Sequence, residues 1–146
     1  MDPNLRIFDI IMKTEFGTTY NSYVLKTEGR TILFETAKAV FLEEYIEELE
    51  SLAGGGQIDY LILDHTEPDH AGSIGLLLEK FPEMQMVGNA KTFSMLPKYF
   101  PDGWADRSVT VKEGDTLPLG SHTLTFVMAP MVHWPEVMVS YESSEK

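Results

Sequence analysis

The chain contains no cysteine among its 146 residues. Disulfides, thiolate zinc sites, iron–sulfur clusters, rubredoxin-type iron and cysteine nucleophiles are therefore all excluded. Any metal bound here must be held by histidine and carboxylate side chains. The histidines are few, since the sequence has only 4 of them.

Basic residues are also scarce, because 11 lysines and arginines stand against 23 aspartates and glutamates and give a formal net charge of -12. Such a surface repels a phosphate backbone and offers no basic stripe, so neither nucleic acid nor an anionic membrane is expected as a partner. No apolar run approaches the roughly 18 residues that suggest a membrane span. The N-terminus lacks the features of a secretion signal, so a cytoplasmic location is predicted.

The pattern of apolar residues predicts one domain over residues 1–146, with no internal boundary. Its class is mixed α/β, with helices covering a sheet that has antiparallel parts, including an antiparallel opening pair. The predicted strands are 6–12, 19–25, 31–35, 60–63, 84–87, 108–112, 123–128 and 137–141, and the predicted helices are 37–52, 73–80 and 90–99.

Two imidazoles and several carboxylates lie in one short segment, residues 64–70, directly after the apolar run 60–63. Open α/β sheets place their ligands beyond the carboxyl ends of strands. Close carboxylates repel one another unless a cation lies among them, so a divalent metal is favoured over isolated acid–base catalysis or a solvated acidic turn. Pro68 is expected to keep the segment a loop. The candidate ligands are His65, Glu67, Asp69 and His70.

The spacing H-x-E-x-D-H, from His65 to His70, resembles the signature of flavodiiron proteins. That signature is a variant of the H-x-H-x-D-H pattern of the wider metallo-β-lactamase superfamily. Glu67 stands where the hydrolases usually have a second histidine, and a carboxylate makes the site harder and richer in oxygen. The sequence Met-Val-His-Trp-Pro around His133 resembles the flavodiiron segment that supplies the next histidine. Similar segments at 17–21 and 72–73 extend the resemblance over almost the whole chain.

The resemblance implies the N-terminal portion of a metallo-β-lactamase-like αβ/βα sandwich. It also implies a ligand set for iron, in which His65, Glu67 and His133 hold one ion. Asp69 and His70 would begin the binding of a second iron. Two histidines and one carboxylate also form the ligand set of mononuclear non-haem iron sites.

Several neighbours of these ligands have two interpretations each. Asp64 either accepts a hydrogen bond from a ligand imidazole or caps the end of a strand. Trp134 either walls the site or merely packs, and the part played by Tyr20 is open. His122 is predicted to be a surface histidine, and Glu136 a solvated strand end.

The resemblance implies an oxidoreductase that reduces dioxygen to water or nitric oxide to nitrous oxide at two irons, with electrons from FMN and a rubredoxin-like donor. The family's metal-bridging aspartate, last histidine and flavodoxin-like domain are not found in residues 1–146. We therefore expect at most one tightly held metal, no bound FMN and no activity of this chain alone.

A partial fold would leave an apolar sheet face uncovered, which predicts a homo-oligomer. Two other functions stay open. One is a zinc-dependent hydrolase of the metallo-β-lactamase superfamily, which Glu67 disfavours. The other is a non-catalytic metal-binding or assembly module.

Overall fold

A computed structural model describes residues 2–8, 12–100 and 103–144. Short 3-10 turns at Ala39–Phe41, Leu96–Lys98 and Ala105–Arg107 join some of the elements. The strands are β1 (Ile7–Phe8), β2 (Met12–Lys13), β3 (Tyr23–Thr27), β4 (Arg30–Phe34), β5 (Tyr60–Ile62), β6 (Gln85–Asn89), β7 (Ser108–Val111), β8 (Thr116–Leu119), β9 (His122–Met128) and β10 (Met138–Glu142). The helices are α1 (Leu42–Ala53), α2 (Pro68–Ala71), α3 (Ile74–Lys80) and α4 (Ala90–Met95).

The larger sheet has the strand order β3-β4-β5-β6-β7. β3 pairs with β4 antiparallel, and the pairs from β4 to β7 are parallel. Side chains alternate between the two faces of β5, as the pleat requires. Leu61 packs in the core formed with α1 and α3, whereas Ile62 packs in a second core beneath the other sheet. Both are fully buried, as expected for a strand that is covered on both faces.

The smaller sheet is antiparallel and has the order β10-β9-β8. Its inner face contributes Leu124, Phe126 and Met138 to the core that it shares with the larger sheet. The described structure is therefore a layer of helices, a mixed sheet and a second sheet. This arrangement confirms the mixed α/β class expected of a metallo-β-lactamase-like domain. No described helix is both long and apolar enough to cross a membrane.

The opening segment and the first helix differ from the sequence prediction. The predicted strand 6–12 corresponds to two short strands, β1 and β2, that pair with each other, and residues 9–11 lie outside the described part. The predicted strand 19–25 begins later, at Tyr23. Helix α1 begins at Leu42 after a 3-10 turn. Val40, expected on its apolar face, is 71% exposed because it lies in that turn.

Two elements were missed because each contains a proline. Pro68 occupies the first helical position of α2, where its missing N–H costs no hydrogen bond, so the prediction of a pure loop was wrong. Pro118 lies in β8, which pairs only with β9 among the described strands. A proline is tolerated in such an edge strand.

Candidate metal centre

The ligand segment 64–70 and the segment 131–136 converge at the carboxyl end of β5. Glu67 Oε2 lies 3.1 Å from His65 Nε2 and 3.1 Å from His133 Nε2. One ligand atom from each of these three residues lies within 4.8 Å of the other two. Two residues close in sequence and one from 66 residues away therefore present their donor atoms to a common point.

The two remaining candidate ligands lie beside this set on α2. The ring of His70 has its centroid 5.2 Å from that of His65. His70 Nε2 is 3.7 Å from Asp69 Oδ2. Asp69 Oδ1 is buried and has no hydrogen-bond partner among the described residues. The helical turn begun by Pro68 thus places a second pair of donors next to the first three.

The donor atoms fit a divalent metal ion. Nitrogen and oxygen ligands lie about 2.0 to 2.2 Å from such an ion, so neighbouring ligand atoms are roughly 3.0 to 3.5 Å apart. The two 3.1 Å separations at Glu67 Oε2 fall in that range. A cation at this position would also give the unpartnered oxygen of Asp69 a partner.

The carboxylate of Glu136 contacts the ring nitrogen of His65 that does not face Glu67. The prediction that Glu136 is a solvated strand end was therefore wrong. Its side chain is fully buried. Oε1 lies 2.9 Å from His65 Nδ1, and it accepts hydrogen bonds of 2.9 Å from both the N–H and the hydroxyl of Thr66. Burial by itself would raise the pKa of Glu136, but these hydrogen bonds outweigh it and hold the pKa below its ordinary value.

Glu35, at the end of β4, is a site residue that sequence reasoning missed. Its Oε1 accepts hydrogen bonds from the N–H of Asp64 and of His65, at 2.6 and 3.0 Å. Oε2 lies 3.6 Å from His70 Nδ1. Burial, assisted by the charge of Asp64, raises the pKa of Glu35 to about 8. Its backbone φ of 57° is left-handed, which is rare for glutamate and typical of functional positions.

Asp64 anchors β10 to the end of β5. Its carboxylate accepts hydrogen bonds from the Ser140 hydroxyl at 2.8 Å and from the Ser140 N–H at 3.3 Å. Its backbone oxygen accepts from Met138 N–H. Burial raises the pKa of Asp64 to about 6. None of the hydrogen bonds in the described structure joins its carboxylate to a ligand imidazole, so the role of strand anchor fits and that of imidazole partner does not.

One aromatic residue contacts the ligand set, and a second lines the cavity beside it. Trp134 meets the His65 ring edge-on, with centroids 5.4 Å apart. The hydroxyl of Tyr20 accepts a hydrogen bond of 3.3 Å from Lys38 Nζ. Tyr20 and Lys38 line a cavity of about 310 Å³ together with Leu5, Ile7, Glu67, Pro68 and Asp69.

His122 is largely buried, so the prediction of a surface histidine was wrong. It begins β9, and 14% of its side chain is exposed. Its Nδ1 lies 3.3 Å from Glu142 Oε1 on the neighbouring strand β10. It is not one of the converging ligands.

The chain is similar in sequence to several known proteins. The model of a family described as "ODP family beta lactamase" matches residues 18–146. A flavo-diiron protein of Clostridium acetobutylicum is 38% identical over 147 residues, covering 100% of this chain and 36% of the relative. A nitric oxide reductase of Moorella thermoacetica is 35% identical over 147 residues, covering 99% and 36% respectively.

The fold of the chain is also similar to solved structures of flavodiiron proteins. A flavoprotein of Thermotoga maritima superposes with a TM-score of 0.88 at 28% identity, over 97% of this chain and 35% of that chain. The rubredoxin oxygen:oxidoreductase of Desulfovibrio gigas superposes with a TM-score of 0.83 at 34% identity, over 96% and 34%. The chain thus spans about a third of the length of the proteins it matches. It belongs to the ODP family of β-lactamase-like domains and corresponds to the N-terminal part of the flavodiiron proteins.

Proposed function

We propose that this chain carries ligands of a non-haem diiron centre in an oxidoreductase that reduces dioxygen to water, nitric oxide to nitrous oxide, or both. The observation that carries the proposal is the single Glu67 oxygen that lies 3.1 Å from a nitrogen of both His65 and His133. The names of the relatives support it, since they include a nitric oxide reductase and a rubredoxin oxygen:oxidoreductase. The same ligands serve either substrate.

His65, Glu67 and His133 would hold the first iron, and Asp69 and His70 would contribute to the second. Bound iron would supply Lewis-acid polarisation and electrons for the reduction of the diatomic substrate. The chain's own residues fix the ligand geometry. The described structure offers three converging donors at the first position and two at the second, so tight binding is proposed for one iron only.

The cavity beside Glu67 and Asp69 is proposed as the place where the substrate approaches. Its volume of about 310 Å³ is ample for a diatomic molecule. Lys38 Nζ and the Tyr20 hydroxyl form a hydrogen-bonded pair in its wall, and both carry protons. Reduction of dioxygen or nitric oxide to water or nitrous oxide consumes protons. We propose that this pair supplies them to the cavity.

The electron supply and the assembly are further parts of the proposal. FMN and a rubredoxin-like donor would deliver electrons, as the family resemblance implies, with FMN held outside the residues described here. A homo-oligomer is supported by an apolar strip on the outer face of the smaller sheet, formed by Val127, Val139 and Tyr141, which are 43%, 51% and 50% exposed. The cytoplasmic location stays a prediction.

Metal analysis combined with an activity assay tests the proposed function. Protein purified under anaerobic conditions should retain iron in preference to zinc. A Glu67→Ala variant should retain less iron than wild type, because it lacks one of the three converging donors. Tightly held zinc together with ester hydrolysis would instead support a hydrolase, and the absence of any bound metal would support a non-catalytic module.

A further inference from the structure

Glu136 and Glu67 lie on opposite sides of the His65 ring. The Nδ1 edge of the ring faces Glu136 Oε1 at 2.9 Å, and the Nε2 edge faces Glu67 Oε2 at 3.1 Å. Glu136 is fully buried, so water does not compete for this oxygen. The two ring nitrogens of His65 therefore have different partners, one behind the ring and one within the candidate ligand set.

The other contacts of Glu136 decide which nitrogen carries the proton. Its Oε1 already accepts hydrogen bonds from the N–H and the hydroxyl of Thr66. An oxygen in that position acts as an acceptor, so the facing Nδ1 of His65 has to donate. Glu67 Oε2 is also an acceptor and faces Nε2, but the Glu67 side chain is 26% exposed and can be solvated by water, whereas the Glu136 side chain is fully buried. A neutral imidazole carries one proton, and a proton on Nδ1 leaves the lone pair of Nε2 available to a metal ion beside Glu67 and His133.

Glu136 is itself held in place by Asn89, the last residue of β6. Its backbone oxygen accepts a hydrogen bond of 2.6 Å from the side chain of Asn89. The other side-chain atom of Asn89 caps α4 by accepting from the N–H of Lys91 and Thr92, at 2.9 and 3.0 Å. Glu136 also follows His133 by three residues. One short segment therefore contributes the candidate ligand His133 and the carboxylate that contacts His65.

We propose that Glu136 is a positioning residue of the metal centre, which holds His65 with its proton on Nδ1 and so makes Nε2 the metal-binding atom. Histidines that bind metals commonly donate their other N–H to a carboxylate, and loss of that partner typically costs about 10- to 100-fold in metal affinity. The inference rests on the proposed metal site, but its first consequence is visible without metal.

Nitrogen-15 NMR of metal-free, labelled protein tests the position of the proton. The measurement is made at a pH high enough for the imidazoles to be neutral. Wild-type protein should show the His65 proton on Nδ1. Glu136→Met, which keeps the size of the side chain and removes the acceptor, should shift the proton toward Nε2, which still faces the Glu67 carboxylate. Glu136→Gln keeps an acceptor oxygen and should restore the Nδ1 proton.

Metal affinity is measured on the same proteins by competition with a chelator. Glu136→Met should bind Fe²⁺ about 10- to 100-fold more weakly than wild type, with Glu136→Gln between them. Glu142→Met is the matched control, because it removes a carboxylate that lies beside His122. It should change neither the His65 spectrum nor the affinity for Fe²⁺.

Several results would overturn the inference. One is a wild-type His65 with its proton on Nε2, a result that remains decisive even if the methionine variant does not fold. Others are an unchanged tautomer and affinity in Glu136→Met, or an equal loss of affinity in Glu142→Met. A protein with the Nδ1 proton that binds no metal would leave the tautomer assignment standing and contradict the proposed function instead.

Discussion

Glu67 is the residue at which this site departs from the hydrolase pattern. It is also the residue that contacts both histidines of the first candidate ligand set. Its Oε2 lies 3.1 Å from a nitrogen of each. An oxygen donor at this position favours a harder metal than a third imidazole would. We therefore expect the choice between iron and zinc to depend on this side chain more than on any other in the set.

Glu67→His should shift the metal preference from iron toward zinc, because the variant would present three imidazoles to the ion. We expect the ratio of zinc to iron affinity to rise by about tenfold or more, which corresponds to ~1.4 kcal/mol. Competition titrations with Fe²⁺ and Zn²⁺ under anaerobic conditions measure that ratio. A ratio that stays at the wild-type value would show that Glu67 does not set the preference.

The candidate ligands are visible in the sequence at the residue scale, whereas the residues that contact them are not. His65, Glu67, Asp69 and His70 lie in one segment, so their spacing is visible in the sequence. Glu136, by contrast, meets its partners from 70 residues away. Its carboxylate resembles the other 22 acidic side chains of the chain until the fold brings it to Thr66. The one feature of the sequence that placed Glu136 near the site was its position three residues after His133.

At the scale of elements, β5 determines where the ligand segment begins. Its short apolar run was predicted correctly, because a strand buried on both faces has a continuous apolar pattern. The proline-containing elements α2 and β8 were not predicted, since the same residue can begin a helix, lie in an edge strand or end either one. Which of these three outcomes occurs depends on the strands and helices that surround the proline in the folded chain.

Leu61→Ala should destabilise the domain by about 2 to 5 kcal/mol, because it removes a fully buried side chain from the centre of the larger sheet. The free energy of unfolding is measured with urea. Val40→Ala, at an exposed position in the turn before α1, is the control and should stay within roughly 0.5 kcal/mol of wild type. A Leu61→Ala variant as stable as the control would contradict the assigned core.

At the scale of the whole molecule, metal binding should stabilise the fold, because the ligands come together only in the native state. His65 and Glu67 follow β5, whereas His133 precedes β10 of the other sheet. An ion at 100 times its dissociation constant adds about 2.7 kcal/mol to the free energy of unfolding. Thermal melts at increasing Fe²⁺ should therefore show a rising midpoint. His133→Ala should reduce that rise, and an equal rise in this variant would count against bridging of the two sheets.

The apolar strip of Val127, Val139 and Tyr141 should make self-association depend on the smaller sheet. Val139→Glu places a charge at the centre of the strip, where it pairs across the strands with Val127. We expect this variant to have a lower mass than wild type in size-exclusion chromatography with light scattering. Val40→Glu, at an exposed position outside the strip, should leave the mass unchanged. A monomeric wild-type protein would contradict the proposed homo-oligomer.

The most direct measurement is a crystal structure of the protein grown anaerobically with Fe²⁺, with anomalous scattering recorded at the iron edge. We predict one strong peak about 2.0 to 2.2 Å from His65 Nε2, Glu67 Oε2 and His133 Nε2, and a weaker one or none beside Asp69 and His70. No peak at the first position, or two peaks of equal strength, would contradict the account.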